Sequence, residues 1–424
     1  MRVSSSSIDA TNHHEKERFR LVRRQPRSAT HSTTPQVRGL ATCLLHHSRS
    51  SPPWTTEEAV MLSFPSDLMA HLVAGESLAV GTVVRTFRSA PRSAGAVMAV
   101  APNGEVHGSV SGGCVEGAVY EKCLEVLATG TPGLEQYGVS DDDAFAVGLT
   151  CGGIIDVFIE KVSLQAFPEI AQVVDSVAAG VPVAIATVTS RGPLCGRHLV
   201  IWRDRVAGSL GSAPLDDAVA ADGQEFLTGG RTGFLHSGAI GRRQSAGLEV
   251  FVSSHVPAAR MLVFGAIDLA ATVARMGKFL GYHVTVCDAR PVFATAKRFP
   301  DADEVVVQWP HRFLDSIVVD SRSAICVLTH DPKFDVPLLQ RALRTPAAYI
   351  GAMGSRRTHQ DRLRKLLDVG VTDLELERLS SPIGLDIGAR TPEETAVSIA
   401  AELIALRWGG SGRRLRTIDG PIHT

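Results

Sequence analysis

The sequence predicts an α/β protein, with a mixed α/β N-terminal domain followed by a Rossmann-like, doubly wound parallel-sheet domain. Three observations lead there. The 424 residues exceed one ordinary core at roughly 150 residues per domain. A composition of 44% hydrophobic and 21% charged residues, with 39 glycines, suits a globular α/β chain rather than a disordered or fibrous one. Near His255 the pattern changes: continuous apolar runs begin to alternate with helical sequence, as a buried parallel sheet with crossover helices requires.

Residues 1–60 are different material, rich in Ser, His and Arg, with the basic run "RFRLVRRQPR". They are expected to be a disordered or non-native extension, with Met61 as a candidate start. The N-terminal domain is expected over 61–255. It opens with a helix ("SDLMAHLVAG") and a strand ("LAVGTVVRTF"), then two β runs around the turn signal "APNG", a hairpin. "VEGAVYEKCLEVLATG" carries apolar residues at Val115, Val119, Cys123, Val126 and Leu127 and ends in Gly130, the pattern of an amphipathic helix. After the acidic loop "SDDDAFAVG" come the strand "GIIDVFIEKV", a helix ("LQAFPEIAQVVDSVAAG"), the strand "VPVAIATVT" and short β runs up to "LEVFVSSH". The second domain, 256–410, reads "MLVFGA", a helix through "DLAATVARMGKFLG", "HVTVCDAR", "DEVVVQW", "SAICVLTH", the helix "DVPLLQRALR" and "AAYIGAMG". Right-handed crossovers make this a doubly wound sheet. In "ARTPEETAVSIAAELIA", Thr391, Pro392 and Glu394 form a capping box that starts a helix. Residues 411–424 read as a tail.

Charge and cysteine content narrow the function. A formal net charge of −1 provides no field for nucleic acid, and the apolar stretches are broken by charge too often for a membrane span. Seven scattered cysteines without a CxxC pair argue against a disulfide framework or a structural zinc, and fit a reducing cytoplasm.

Chemistry is expected at three places. In "GSVSGGCVEG" Cys114 stands at a helix N-terminus, where the dipole favours thiolate. Gly112 and Gly113 before it, like Gly152 and Gly153 after Cys151, clear space for a ligand; packing as a small hydrophobe is the alternative for both cysteines. The carboxyl ends of the second domain's strands carry "THDPKFD" and "GAMGSRRTH". There Gly354, Ser355, Arg356 and Arg357 open a helix and could hold a phosphate. His330, Asp331 and Asp335 could be acid/base groups, metal ligands, or helix-capping residues. The third place is the turn "GAIDLA". It keeps Gly265 and Ala270 of a dinucleotide fingerprint, but Ile267 takes the second glycine position and Asp268 adds a carboxylate where phosphate charge would lie. NAD(P) binding is therefore not expected, despite Asp288 at the ribose-binding position.

"RSAGAVMAV", "GSVSGGCVEGAVYE", "CGGIIDVFIE", "LTHDPKFDVPLL", "YIGAMGSRRTHQDRL" and "PIGLDIGARTPEETAVSIAAELIA" together resemble the XdhC/CoxI accessory proteins of molybdenum hydroxylases such as xanthine dehydrogenase and carbon monoxide dehydrogenase. The resemblance implies a cytoplasmic homodimer that binds molybdenum cofactor (molybdopterin), assists its sulfuration with a cysteine desulfurase and delivers it to an apo molybdenum hydroxylase. That is a chaperone rather than a catalyst. On this reading Cys114, Cys151 and their glycines would hold the metal end, and His330, Asp331 and Gly354–Arg357 the phosphate end. An NAD(P)-dependent oxidoreductase and a thiol redox sensor are the rival readings.

Overall fold

The computed structural model describes residues 66–87, 92–138, 153–235 and 248–419, so the expectations for residues 1–60, Cys151 and Gly152 lie outside the described residues. Helix α1 (Ser66–Val73) leads into strands β1 (Leu78–Phe87), β2 (Val97–Val100) and β3 (Val106–Gly108), helix α2 (Glu116–Thr129), and strands β4 (Gly133–Gly138) and β5 (Ile154–Val162). The same order then returns: α3 (Ile170–Ala178), β6 (Val183–Val188), β7 (His198–Trp202), β8 (Val206–Gly208), α4 (Ala213–Gly229), β9 (Gly233–Phe234) and β10 (Val250–His255). Each set forms an antiparallel sheet, in the orders β3-β2-β1-β5-β4 and β8-β7-β6-β10-β9. The registers match as well: Thr82 pairs with Val97 and Phe158, and Thr187 with His198 and Phe251. The N-terminal domain is therefore an internal duplication.

Alternation along the strands builds its layers. On β1, Leu78 and Val80 join a core with α1, α3 and the second sheet's Val183 and Ile185, while Ala79 and Val83 face α2. Helix α4 covers the outer face of the second sheet through Leu215, Val219 and Leu227. The equivalent Phe158 and Phe251, 2% and 3% exposed, share a small cluster with Val84. Each contributes about 2–3 kcal/mol by leaving water.

Helices α4 and α3 differ from expectation. Helix α4 occupies sequence read as short β runs, because alanine, glycine and aspartate dilute its apolar stripe to Leu215, Val219 and Leu227; its signals are Pro214 in the first turn and left-handed Gly230 after the last. Helix α3 starts at Ile170 rather than at Leu164, since Pro168 interrupts the earlier stretch.

The second domain is a sheet whose described strands are all parallel, in the order β13-β12-β11-β14-β15-β16. Its strands are β11 (Arg260–Phe264), β12 (His283–Asp288), β13 (Glu304–Val307), β14 (Ala324–Val327), β15 (Tyr349–Ala352) and β16 (Leu379–Ser380). Helices α5 (Asp268–Phe279) and α10 (Pro392–Trp408) cover the face of Met261 and Val263. Helices α6 (Pro310–Asp315), α7 (Pro332–Ala342) and α8 (Arg356–Asp368), with the short α9 (Asp373–Leu376), cover the face of Leu262 and Phe264. The reversal of strand order between β11 and β14 marks the crevice where such sheets receive ligands. The capping box at Thr391 and Glu394 forms as expected, with Glu394 N–H on Thr391 Oγ1 at 3.2 Å and Thr391 N–H on Glu394 Oε2 at 3.1 Å.

Candidate functional site

The loop before α2 is held by Glu116, a carboxylate not among the residues expected to matter. It accepts Ser109 Oγ (2.6 Å), Ser111 N–H (2.9 Å) and Ser111 Oγ (2.5 Å), with Gly113 N–H (2.8 Å) and Val115 N–H (3.2 Å). Ser109 Oγ takes Gly112 N–H, and Ser111 Oγ takes Cys114 N–H. Burial alone would raise the Glu116 pKa, but the bonds from Ser109 and Ser111 overcome it and hold the carboxyl at about 2. The free amides at this helix start are thus engaged within the loop. Gly112 (φ 74°) and Gly113 (φ 118°) are left-handed, and an added Cβ at either would meet open space among the described residues; Cys114, next in the chain, is half-buried. Gly153 is buried just before β5.

The duplication supplies an internal comparison at an offset of about 100 residues. "GSVSGGCVEG" is matched by "GSLGSAPLDD": Gly208 repeats the φ of Gly108, 84° against 83°. Asp216 binds Ser209 Oγ and Leu210 N–H, both at 2.7 Å, in the manner of Glu116. Ser212, Ala213 and Pro214 stand where the first copy has Gly112, Gly113 and Cys114. The scaffold is kept twice; the open tip and its thiol occur in the first copy. The signal in the sequence is a weak repeat at this offset, legible beside the matching topology.

At the carboxyl edge of the parallel sheet, His330 is exposed and Asp331 caps α7 by accepting Lys333 N–H at 3.1 Å. Hydrogen bonds from Lys333 hold the Asp331 carboxyl below its ordinary range. Among the readings left open for Asp331, capping is the one the geometry bears out. Asp335 is buried against Thr329 Oγ1 and Arg362 Nη2, the latter at 3.0 Å. Arg362 also reaches Met353 O (2.7 Å) and Ser381 Oγ (3.1 Å), tying the loops after β14, β15 and β16 together. Ser355 caps α8 through Thr358 N–H (3.1 Å). Arg356 and Arg357 project from its first turn, exposed, and neither guanidinium meets a carboxylate among the described residues. No group of three His, Cys, Asp or Glu residues able to hold a metal ion occurs among the described residues.

The β11–α5 turn is internally closed. Gly265 has φ 110°, and a Cβ there would lie 2.9 Å from Thr329 N, so glycine is required by both conformation and close approach. Asp288 accepts Ala266 N–H (2.8 Å), Arg290 Nε (2.9 Å) and Arg290 Nη2 (2.8 Å). Burial would raise its pKa, but the Arg290 bonds outweigh it and lower the carboxyl. Asp268 pairs with Arg298 at 3.1 Å.

The two domains meet at the opposite edge of this sheet. Ser321 Oγ donates to Thr228 O across the seam (3.4 Å), and Arg322 Nη1 donates to Pro257 O (2.7 Å) in the segment that joins the domains, at the amino end of β14. A cavity of about 130 Å³ in this seam is lined by Thr232, Ser254, His255, Tyr282 and Arg322. Burial pushes the His255 pKa down to about 4, so its imidazole is neutral. The seam and the crevice are separated by the length of a five-residue strand, roughly 17 Å.

With this geometry in view, a family model described as "XdhC and CoxI family" matches residues 71–138 and 176–238, the two segments that fold alike, and one described as "XdhC Rossmann domain" matches 261–403. The chain belongs to the XdhC and CoxI family. It is 29% identical over 349 residues to a protein of Bacillus subtilis named as a probable xanthine dehydrogenase subunit, a match covering 82% of this chain and 98% of that protein. It is 27% identical over 336 residues to the "Molybdenum cofactor insertion chaperone PaoD" of Escherichia coli, covering 79% and 85%. A crystal structure titled as a xanthine dehydrogenase from Bacillus halodurans superposes with a TM-score of 0.56 at 26% identity, covering 83% of this chain and 97% of that one.

Within this XdhC and CoxI family chain, the crevice residues His330, Asp331, Gly354, Ser355, Arg356 and Arg357 come together after the neighbouring strands β14 and β15. Cys114 and Gly153 belong to the first sheet's domain. Because Asp288 is already occupied by Arg290 and the Ala266 amide, the ribose position has no unengaged acid to offer. NADH and NADPH titrations followed by nicotinamide fluorescence are accordingly expected to show no saturable micromolar binding; saturation in that range would favour the oxidoreductase reading. No helix among the described residues is long and apolar enough to cross a membrane.

Proposed function

We propose that this protein is a molybdenum cofactor chaperone. It protects molybdopterin-bound molybdenum, keeps it accessible while a cysteine desulfurase supplies sulfur, and inserts it into an apo molybdenum hydroxylase of the xanthine or CO dehydrogenase type. It works in the cytoplasm as a homodimer and is not itself a catalyst. The observation that carries the reading is the pair of exposed guanidinium groups, Arg356 and Arg357, which meet no carboxylate among the described residues, on the Ser355-capped start of α8 at the carboxyl edge of the sheet. Helix-terminal amides and planar forks together suit a phosphate monoester, and a relative covering most of the chain is named for inserting the molybdenum cofactor.

The residues fit such a cargo. Gly354, Ser355, Arg356 and Arg357 take the phosphate, with His330 and Asp331 on the neighbouring loop. The open space at Gly112 and Gly113 admits a bulky group beside Cys114, and Cys151 with Gly152 and Gly153 is the second thiol of the metal end. The bound cofactor would supply the thiophilic molybdenum centre for which thiolates are natural partners. The chain's own work is to bind, orient and shield. Glu116 fixes the loop that presents Cys114, so the thiol is positioned before the cargo arrives.

Anaerobic purification from a cofactor-producing host, followed by molybdenum and pterin analysis, tests this. The wild type is expected to carry both in near-equal amounts. Cys114→Ala and Cys151→Ala are each expected to lower molybdenum severalfold, and Arg356→Ala with Arg357→Ala to lower pterin about tenfold, as loss of charge-assisted bonds implies. Full occupancy in both cysteine variants would remove the thiols from the mechanism, and a cofactor-free wild type would remove the function.

A further inference from the structure

Trp309 has no part in the phosphate and thiol contacts above, yet it stands at the same edge of the sheet. It lies two residues beyond β13 and holds the N-cap position of α6, and it is 43% exposed. The ring is held in place: Phe334, buried in the first turn of α7, lies 5.2 Å away, and His311 5.9 Å away. Gln308 N–H donates to Asp288 O at 3.2 Å, fastening the preceding residue to the end of β12. Lys333 Nζ sits 4.8 Å over the Phe334 ring and pairs with Asp331 at 2.9 Å, and the Arg290 guanidinium is fixed on Asp288.

An exposed indole braced by a buried phenyl ring suits one kind of ligand group. A planar nitrogen heterocycle stacks on such a face, and Arg356 and Arg357 at the neighbouring helix start favour one that also carries phosphate. An aliphatic ligand would use neither feature. Phe334 follows β14 and Ser355 follows β15, neighbouring strands, so one phosphorylated heterocycle can reach both the aromatic pair and the guanidinium pair. We infer that Trp309 is the stacking platform for the planar ring of the cargo, its pterin, and so sets which cofactors the crevice accepts. This rests on the proposed function for the identity of the ring; the stacking itself does not.

The test titrates the full chain with neopterin phosphate and, separately, with ADP, following tryptophan fluorescence. Wild type is expected to bind the phosphopterin with quenching, and more tightly than ADP. Trp309→Ala is expected to lose the quenching and about tenfold in affinity, in line with a stacked ring. Trp309→Phe should recover most of the affinity, which a merely structural role would not predict, and thermal unfolding of both variants should match wild type. A Trp309→Ala variant within threefold of wild type, wild type that binds neither probe, or ADP preferred over the phosphopterin would each overturn the inference. The pterin content of the wild type as isolated judges the proposed function separately: pterin retained equally by Trp309→Ala would sink the platform and leave that function standing.

Discussion

Replacing Arg362 by alanine is expected to cost about 3–5 kcal/mol, the range for removing one partner of a buried ion pair. The unfolding midpoint of the second domain should then fall by on the order of 10 °C. Arg362 and Asp335 have side chains only 3% and 5% exposed, so water cannot replace the lost partner. Burial already pushes the Asp335 carboxyl above its ordinary pKa, and without Arg362 it would take up a proton rather than remain an isolated charge. The variant also unties Met353 O from Ser381 Oγ, which loosens the loop that ends in Gly354 and Ser355. Loss of phosphate-end binding should accompany the loss of stability. A double variant, Asp335→Leu with Arg362→Met, is expected to regain much of the stability, since apolar replacements of a buried pair are often neutral. Binding should stay weak, because the hydrogen bonds that position the loops are still missing. Thermal unfolding beside phosphopterin titration separates these effects. A single variant that loses less than 1 kcal/mol would mean the pair is solvated.

Most of this architecture is legible in the sequence, for physical reasons that also explain what is not. Runs such as "MLVFGA" and "SAICVLTH" are continuous because both faces of a parallel sheet are covered, and their alternation with helices dictates the doubly wound fold. The capping box at Thr391 is local chemistry and is read locally. By contrast, α4 is hidden because its buried stripe is sparse, and the duplication is hidden because it lies in topology and in a weak repeat, "GSVSGGCVEG" against "GSLGSAPLDD". The roles of Glu116 and Arg362 depend on partners brought together by folding: Arg362 meets Asp335 across 27 positions. Glu116 is the more legible of the two, since a carboxylate just after a glycine-rich turn at a helix start is a recurrent cap, but the neighbouring cysteine is the louder chemical signal. For Asp331 a motif consistent with catalysis is a helix cap, because Asp followed by Pro serves both purposes.

Glu116→Ala is expected to cost about 3 kcal/mol and to empty the site as well. The carboxylate gathers two hydroxyls and three amides; without it the part-buried Ser111 N–H has no acceptor and the loop loses the group that gathers Ser109, Ser111 and Gly113, while Val115 N–H keeps only Ser111 Oγ. The effect has a pH signature. The folded pKa lies at about 2 against an ordinary value of 4.5, so the stabilisation is fully present above about pH 4.5 and is lost as pH falls through 2. Its size is about 2 kcal/mol, the linkage value reduced for a carboxylate that water partly reaches. Other carboxylates titrate in the same range, so the quantity to measure is the difference between wild type and Glu116→Gln in unfolding free energy. That difference should shrink between pH 5 and pH 2; one that is flat with pH would show the carboxylate is not charged in the folded loop. Asp216→Asn provides the control that the duplication makes possible. It removes the equivalent anchor from the second copy, where Pro214 stands in the place of Cys114. It should therefore lower stability while leaving molybdenum and pterin content unchanged. If Asp216→Asn emptied the protein of cofactor as Glu116→Ala does, occupancy would be following stability alone, and the first copy's loop would lose its special claim to the metal end.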